Sequence, residues 1–449
     1  GANDAINGLV ELPSGEVLLA GWRTVGGVAK RALTKLTAAG AEVWTFTGFS
    51  GDAAGSHGAL ELVTLAGTSA VLLSGLKDKP DASEMSFKSY GNAVGGKAWF
   101  CKMPIAALSG SSAPTASDIT WERTESAYMS AKAAYAMPDG SVAALLWGEG
   151  AKACGLAVYP ASGGTATWGP TDYASTGNLE GTDLAIGGGK IAISGHGGYL
   201  SDGEYYSGKL VIVNAADGSG ATVTEITAGG TRELIYNECW GTDVVPGGFV
   251  VACGTGIEGC AGKSSAVAAD CAAGRGDSTT PDVRFGAGIW QSMAAKVDKA
   301  GNLLWRRVDA YRTVGGPTYT HGSAFTAVTS SASEWVVALA DGTTAWVNDE
   351  SNGFGIMVLS ASPPPPPPAA TDGWNTFPAP KSYKLADAPA ITSYKVATEV
   401  LEDAHAVVGA NTSDGAYLLA GKAIECGDSC SGSQSASMTE GFAVKMTAA

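Results

Sequence analysis

Short apolar runs, too brief for helices and bounded by clusters of Gly, Pro, Asp and Ser, recur along the whole chain. Their length and the Gly-containing turns between them predict strands joined in hairpins. One unit repeats: an apolar strand, a tight turn, then a second apolar strand ending in glycine. The second strands read VLLAG (to Gly21), VLLSG (Gly75), ALLWG (Gly148), IAISG (Gly195), VVACG (Gly254), VVALADG (Gly342) and YLLAG (Gly421). The turns agree in LPSG (12–15), MPDG (137–140) and VPGG (245–248), and GTDLAIGGGKIAISG (181–195) matches GTDVVPGGFVVACG (241–254). A third strand follows each hairpin after a loop of variable length, with lysine at one place in four of them: Lys35, Lys102, Lys296 and Lys445. A fourth strand often carries tryptophan, at Trp44, Trp121, Trp168 and Trp305, with Trp374 marking the same strand beyond an insertion.

Seven repeats of a four-stranded unit predict an all-β chain, a seven-bladed β-propeller with long irregular loops. Residues 1–449 form one domain, with blades at about 1–56, 57–126, 127–177, 178–234, 235–317, 318–390 and 391–449. A single blade buries neither face, so blades must stack around an axis. Small residues suit the crowded inner strands, and the tryptophans fill the gaps that widen between outer strands. MAAKVDKAGNLLWRR (293–307) and ALTKLTAAGAEVW (32–44) resemble the quinoprotein-like repeat propellers of secreted proteins. That resemblance spans the chain and implies a fold, because propellers host enzymes, lectins and scaffolds alike.

Composition fits this picture. The chain holds 63 glycines among 449 residues, a load that undercuts helices. The net charge of −15 argues against nucleic acid or an anionic membrane surface as partner. No apolar run approaches a membrane span, and the start GANDAING has no signal-peptide pattern, so any export signal is expected to have been removed.

Eight cysteines without a C-x-x-C pair point to disulfides and an oxidising compartment rather than zinc. Cys426 with Cys430 and Cys260 with Cys271 bracket loops, and Cys239 with Cys253 flank the 246–248 turn. Cys101 and Cys154 remain as the fourth pair. Many other pairings are possible, and so are free buried thiols.

Three of the four histidines, His57, His321 and His405, precede first strands in blades two, six and seven. They admit two readings, a three-histidine metal site at the channel mouth or separate strand-end hydrogen bonds. No nucleophile motif is present. Asp183 and Asp243 occupy equivalent places in two blades, which suggests hydrogen bonds that stabilise the blades rather than an acid–base pair. RGDS (275–278) and DGSG (217–220) carry no assignable chemistry.

The tract Ser362 and Pro363, Pro364, Pro365, Pro366, Pro367 and Pro368 predicts a stiff polyproline segment, inserted between the third and fourth strands of blade six. It resembles the hydroxyproline-rich extracellular glycoproteins of green algae and plants, which implies hydroxylation and O-linked sugars on these residues. Asn411-Thr412-Ser413 is an N-glycosylation sequon in the first turn of blade seven, on the same propeller face. Blade seven ends at Phe442, Ala443, Val444, Lys445 and Met446 with its outer strand missing. The five residues before Ile6 are too few to supply that strand, so its edge is expected to pair with another subunit.

The sequence therefore predicts a secreted, cell-surface or extracellular, non-catalytic glycoprotein. It would be the structural subunit of a filament, coat or matrix, with head-to-tail copies of itself as partners. Other extracellular glycoproteins or polysaccharide would be further partners. No cofactor is expected beyond covalent N- and O-linked glycans. The alternatives are a lectin-like propeller that binds carbohydrate through the long second-to-third-strand loops and, third, a hydrolase or metal-dependent enzyme at the channel mouth.

Overall fold

The computed structural model describes residues 4–81, 95–177, 179–197, 207–226, 236–257, 289–309, 331–338, 344–350, 353–359, 391–397, 404–411, 417–424 and 439–446. From residue 307 onward only the backbone is described. Strands dominate throughout, and each sheet is an antiparallel meander in chain order.

Sheet one is formed by β1 (Asp4–Glu11), β2 (Val17–Val25), β3 (Val28–Leu36) and β4 (Glu42–Phe46). Sheet two holds β5 (His57–Ala66), β6 (Ala70–Lys79), β7 (Lys97–Pro104) and β8 (Trp121–Glu125). Sheet three holds β9 (Ser130–Ala136), β10 (Val142–Trp147), β11 (Gly155–Tyr159) and β12 (Trp168–Asp172). Sheet four holds β13 (Glu180–Gly187), β14 (Lys190–Gly197), β15 (Ser207–Asn214) and β16 (Thr222–Ile226). Sheet five holds β17 (Tyr236–Val245), β18 (Gly248–Ile257), β19 (Ile289–Asp298) and β20 (Leu303–Asp309). Sheet six holds β21 (Ser331–Ala338), β22 (Thr344–Glu350), β23 (Gly353–Leu359) and β24 (Ile391–Ala397). Sheet seven holds β25 (Ala404–Asn411), β26 (Tyr417–Ile424) and β27 (Thr439–Met446), three strands among the described residues.

The first strands follow one another in space. β1 touches β5, β5 touches β9, and the sequence continues through β13, β17 and β21 to β25, which touches β1 again. The sheets therefore surround a common axis in a propeller-like arrangement. The apolar core lies between sheets. Leu18, Leu33, Phe49, Leu73, Trp99 and Cys101 fill the seam between sheets one and two. Phe100, Ala131, Leu146 and Tyr159 fill the next seam. Leu145, Cys154, Leu156, Ile193 and Val211 belong to that between sheets three and four, and Leu210, Ile212, Phe249 and Met293 to that between four and five. Strands whose two faces both meet a neighbouring sheet must be apolar on both, which explains fully buried runs such as Val142–Trp147. Arg31 is the exception inside a seam. Its guanidinium lies over the Trp99 ring at 4.2 Å and the Phe49 ring at 5.1 Å, and pairs with Asp52 at 3.0 Å.

The glycine that ends several second strands has a steric cause. A Cβ on Gly21, Gly75 or Gly195 would overlap the carbonyl oxygen of Ala5, Ala59 or Glu180 on the adjacent first strand. In each case the pairing register between the two strands slips at that point.

Two boundaries differ from the sequence reading. VVALADG is not a second strand, because Ser331–Ala338 is the first strand of sheet six and Thr344–Glu350 its second. Residues 391–397, expected to open blade seven, instead pair with β23 as the outer strand of sheet six. Their alternation, ITSYKVA, suits an edge that packs on one face as well as it suits an inner strand.

Candidate functional site

Two regions carry unsatisfied hydrogen-bonding capacity. One is the outer edge of sheet seven. β27 pairs with β26 over its full length, from Ile424↔Thr439 to Tyr417↔Met446, and Phe442, Ala443, Val444, Lys445 and Met446 all lie in this register. No strand among the described residues pairs with its other side. In sheets one to six a fourth strand occupies that place. An edge strand of this kind offers a row of backbone donors and acceptors to any extended segment.

The other region is the axis, where first strands place polar side chains. Buried Glu61 of β5 lies 3.5 Å from Lys132 of β9 and accepts a hydrogen bond from Ser130 Oγ at 3.3 Å. Glu61 Oε2 and Asn7 Oδ1 find no hydrogen-bond partner among the described residues. Glu180 begins β13, and burial raises its carboxyl to about 7 against the opposing pull of Lys132. Tyr135 OH donates to Asp183 Oδ1 at 3.3 Å, and burial, then Asp183 and Asp243, push its phenol well up. Asp183 Oδ2 also accepts from the Thr242 backbone N–H at 3.1 Å, tying sheet four to sheet five as its repeated position suggested. Asp243 Oδ1 accepts from the Val244 N–H at 2.7 Å.

The structure joins Cys239 and Cys253, which face each other across the β17–β18 ladder. Cys101 and Cys154 do not pair. Both are free and buried, one between sheets one and two and the other between sheets three and four, so a bond would have to bridge two seams. Burial raises both thiols far above their ordinary range. Cys260, Cys271, Cys426, Cys430, Ser362, the 363–368 prolines and His321 lie outside the described residues.

His57 opens β5 and accepts a hydrogen bond at Nδ1 from the Ala29 N–H at 3.1 Å, a strand-end contact to sheet one. Burial and the charges of Lys30 and Lys79 lower its pKa. His405 lies on β25 opposite Lys422, and Asn411 is the last residue of β25. Among the described residues no group of three His, Cys, Asp or Glu side chains could hold a metal ion. The histidine that sequence reasoning passed over is His196. It is buried against Trp240 with ring centroids 4.8 Å apart, and burial drives its pKa down to about 3. Its only sequence signal was its place two residues after the repeated Ile-Ser-Gly, inside the second-strand pattern. No helix among the described residues is long and apolar enough to cross a membrane.

No family model matches the chain, and no curated protein matches it. The resemblance to quinoprotein-like repeats therefore rests on the sequence motifs. Solved structures do match. A polysaccharide lyase, Uly1, is 8% identical with a TM-score of 0.48, over 98% of this chain and 89% of its own. A protein of unknown function from Dyadobacter fermentans is 12% identical with a TM-score of 0.43, over 94% and 91%. Sqt1 from Chaetomium thermophilum is 10% identical with a TM-score of 0.42, over 94% of each chain. Similarity this distant assigns no activity to the chain.

Proposed function

We propose that the chain is a seven-bladed β-propeller that serves as a secreted, glycosylated and non-catalytic structural subunit. Its copies would join through the edge of β27. One observation carries the reading: sheet seven has three strands among the described residues where every other sheet has four. A neighbouring copy that lends an extended segment completes the sheet by β-augmentation, with backbone hydrogen bonds supplying affinity. Lys445 is the only charged residue of the FAVKM stretch, so nothing of the kind that natural edges use to repel other strands stands there. One edge receiving one donor segment is a heterologous contact. Repeated from copy to copy it builds an open filament rather than a closed dimer. The disulfide between Cys239 and Cys253 supports an oxidising compartment. Glycans on Asn411 and on the 362–368 tract would be read by mass spectrometry of the native protein.

Sedimentation velocity across a wide concentration range tests the assembly. Species larger than the monomer should grow with concentration and shrink when a peptide copying the outer strand Glu42–Phe46 is added in excess. A monodisperse monomer at high concentration overturns the proposal.

A further inference from the structure

The first strands share one irregularity. Each carries extra residue length opposite its second strand at an equivalent level: Asn7, Glu61, Lys132, Thr182, Trp240, Glu334, and the pair Ala406–Val407. A bulge re-aims the inserted side chain out of the regular alternation. Where side chains are described, that re-aiming has one consequence, contact with the next first strand. Asn7 Nδ2 donates to Leu60 O at 2.7 Å, from sheet one to sheet two. Glu61 meets Lys132 and Ser130, from sheet two to sheet three. The charge of Lys132 acts on Glu180 of sheet four. The Thr182 hydroxyl lies 2.9 Å from Cys239 O of sheet five. Leu60 and Cys239 each immediately precede the bulged residue of their own strand, so the contacts pass from bulge to bulge around the axis.

The relay has a break. At the level where the other first strands carry Asn, Glu, Lys, Thr, Trp and Glu, sheet seven carries Ala406 and Val407, whose side chains have no donor or acceptor. That is the seam where β25, β26 and β27 meet β1 and the ring closes. Sheet seven also brings three strands to this seam, so less apolar surface is buried at its outer rim. A net hydrogen bond across a buried contact contributes about 1 kcal/mol, and local opening follows the least-stabilised contacts.

We infer that the ring opens at the seam between sheet seven and sheet one while the other seams stay shut. The opening is a property of the isolated chain and does not depend on whether β27 recruits a neighbour. An added outer strand on sheet seven would hold the same seam closed, so assembly and opening compete.

Native-state thiol labelling reads the seams separately, because the chain already holds reporters. Cys101 lies in the seam of sheets one and two, and Cys154 in that of sheets three and four. Leu18, Ala20 and Leu33 pack into the first of these seams, so strand alternation turns Leu19 and Ala32 to the opposite face of sheet one, where both remain buried. Leu19→Cys and Ala32→Cys are labelled with a small alkylating reagent at a concentration where the chain is monomeric. Each site's rate is read by mass spectrometry relative to the unfolded protein. The introduced thiol should label at least tenfold faster than both native thiols in each variant. Rates no faster than Cys101 or Cys154, or three thiols labelling together, overturn the inference.

Discussion

The indole N–H of Trp168, on the outer strand of sheet three, donates to Ala215 O in the strand-connecting turn of sheet four at 3.1 Å. The same bond recurs one and two sheets earlier. Trp44 donates to Gly110 O at 3.2 Å and Trp121 to Ala161 O at 3.1 Å, each in the third-to-fourth-strand connection of the next sheet. In sheet four, which has no tryptophan at this place, Thr224 Oγ1 donates to Gly301 O at 2.6 Å instead. The recurring tryptophan thus fills the widening outer gap and also pins one sheet to the next. Trp168→Phe keeps most of the packing and strands the Ala215 carbonyl. It should cost about 1–3 kcal/mol, read as a lower urea midpoint with unchanged m-value.

Gly195 faces the Glu180 carbonyl so closely that an added Cβ must displace the first strand. Gly195→Ala should therefore destabilise the chain by about 1–3 kcal/mol or more, as overpacking does. Gly15→Ser is a useful contrast, since its Cβ would meet nothing nearer than 4.0 Å and its cost comes from φ +82° alone. Thermal unfolding of the two variants should differ in origin. Only Gly195→Ala should speed exchange of the amides in β13 and β14.

These relationships show what the sequence made legible. The glycine repeats by letter because the backbone demands it at equivalent places, and the tryptophans repeat because both a volume and a donor are needed. The bulged residues do not repeat by letter. Asn7, Glu61, Lys132, Thr182 and Trp240 solve one geometric problem with five chemistries, so no comparison of repeats reveals them. Where a repeat lost its marker, the reading slipped. Sheet six has no tryptophan on its outer strand Ile391–Ala397, and Trp374 drew the expected strand elsewhere. Pairing Cys101 with Cys154 by elimination failed for a related reason. A buried cysteine in a seam is a small apolar residue, and counting cannot separate it from a bonded one.

The cross-strand disulfide should matter in proportion to the loop it closes. With Cys239 and Cys253 separated by 14 positions, replacing both with serine or alanine should lower stability by about 3 kcal/mol. Non-reducing peptide maps should recover this bond, and iodoacetamide under native conditions should leave Cys101 and Cys154 largely unreacted because burial disfavours their thiolates. Recovery of a Cys101–Cys154 peptide would contradict the seam assignments.

Acid and base should act on the axis in opposite senses. His196 is held neutral, with its pKa lowered by burial to about 3 from 6.5, so the folded state binds fewer protons than the unfolded chain between those values. Its contribution is complete above pH 6.5 and is lost as pH falls toward 3. Glu180 is shifted the other way, from 4.5 to about 7 by burial, so the folded state binds more protons between pH 4.5 and 7. Its contribution is complete below pH 4.5 and is lost as pH rises through 7. Between pH 4.5 and 6.5 the two slopes oppose, and the melting temperature of the parent chain should vary little there. Glu180→Gln removes one slope and should leave a chain whose stability climbs steadily from pH 4.5 to 6.5. His196→Phe removes the other and keeps an aromatic ring beside Trp240, so the melting temperature should fall over the same interval. Calorimetry at half-unit pH steps separates these outcomes. Identical pH profiles for the parent and both variants would show that neither group titrates across the interval that its burial demands.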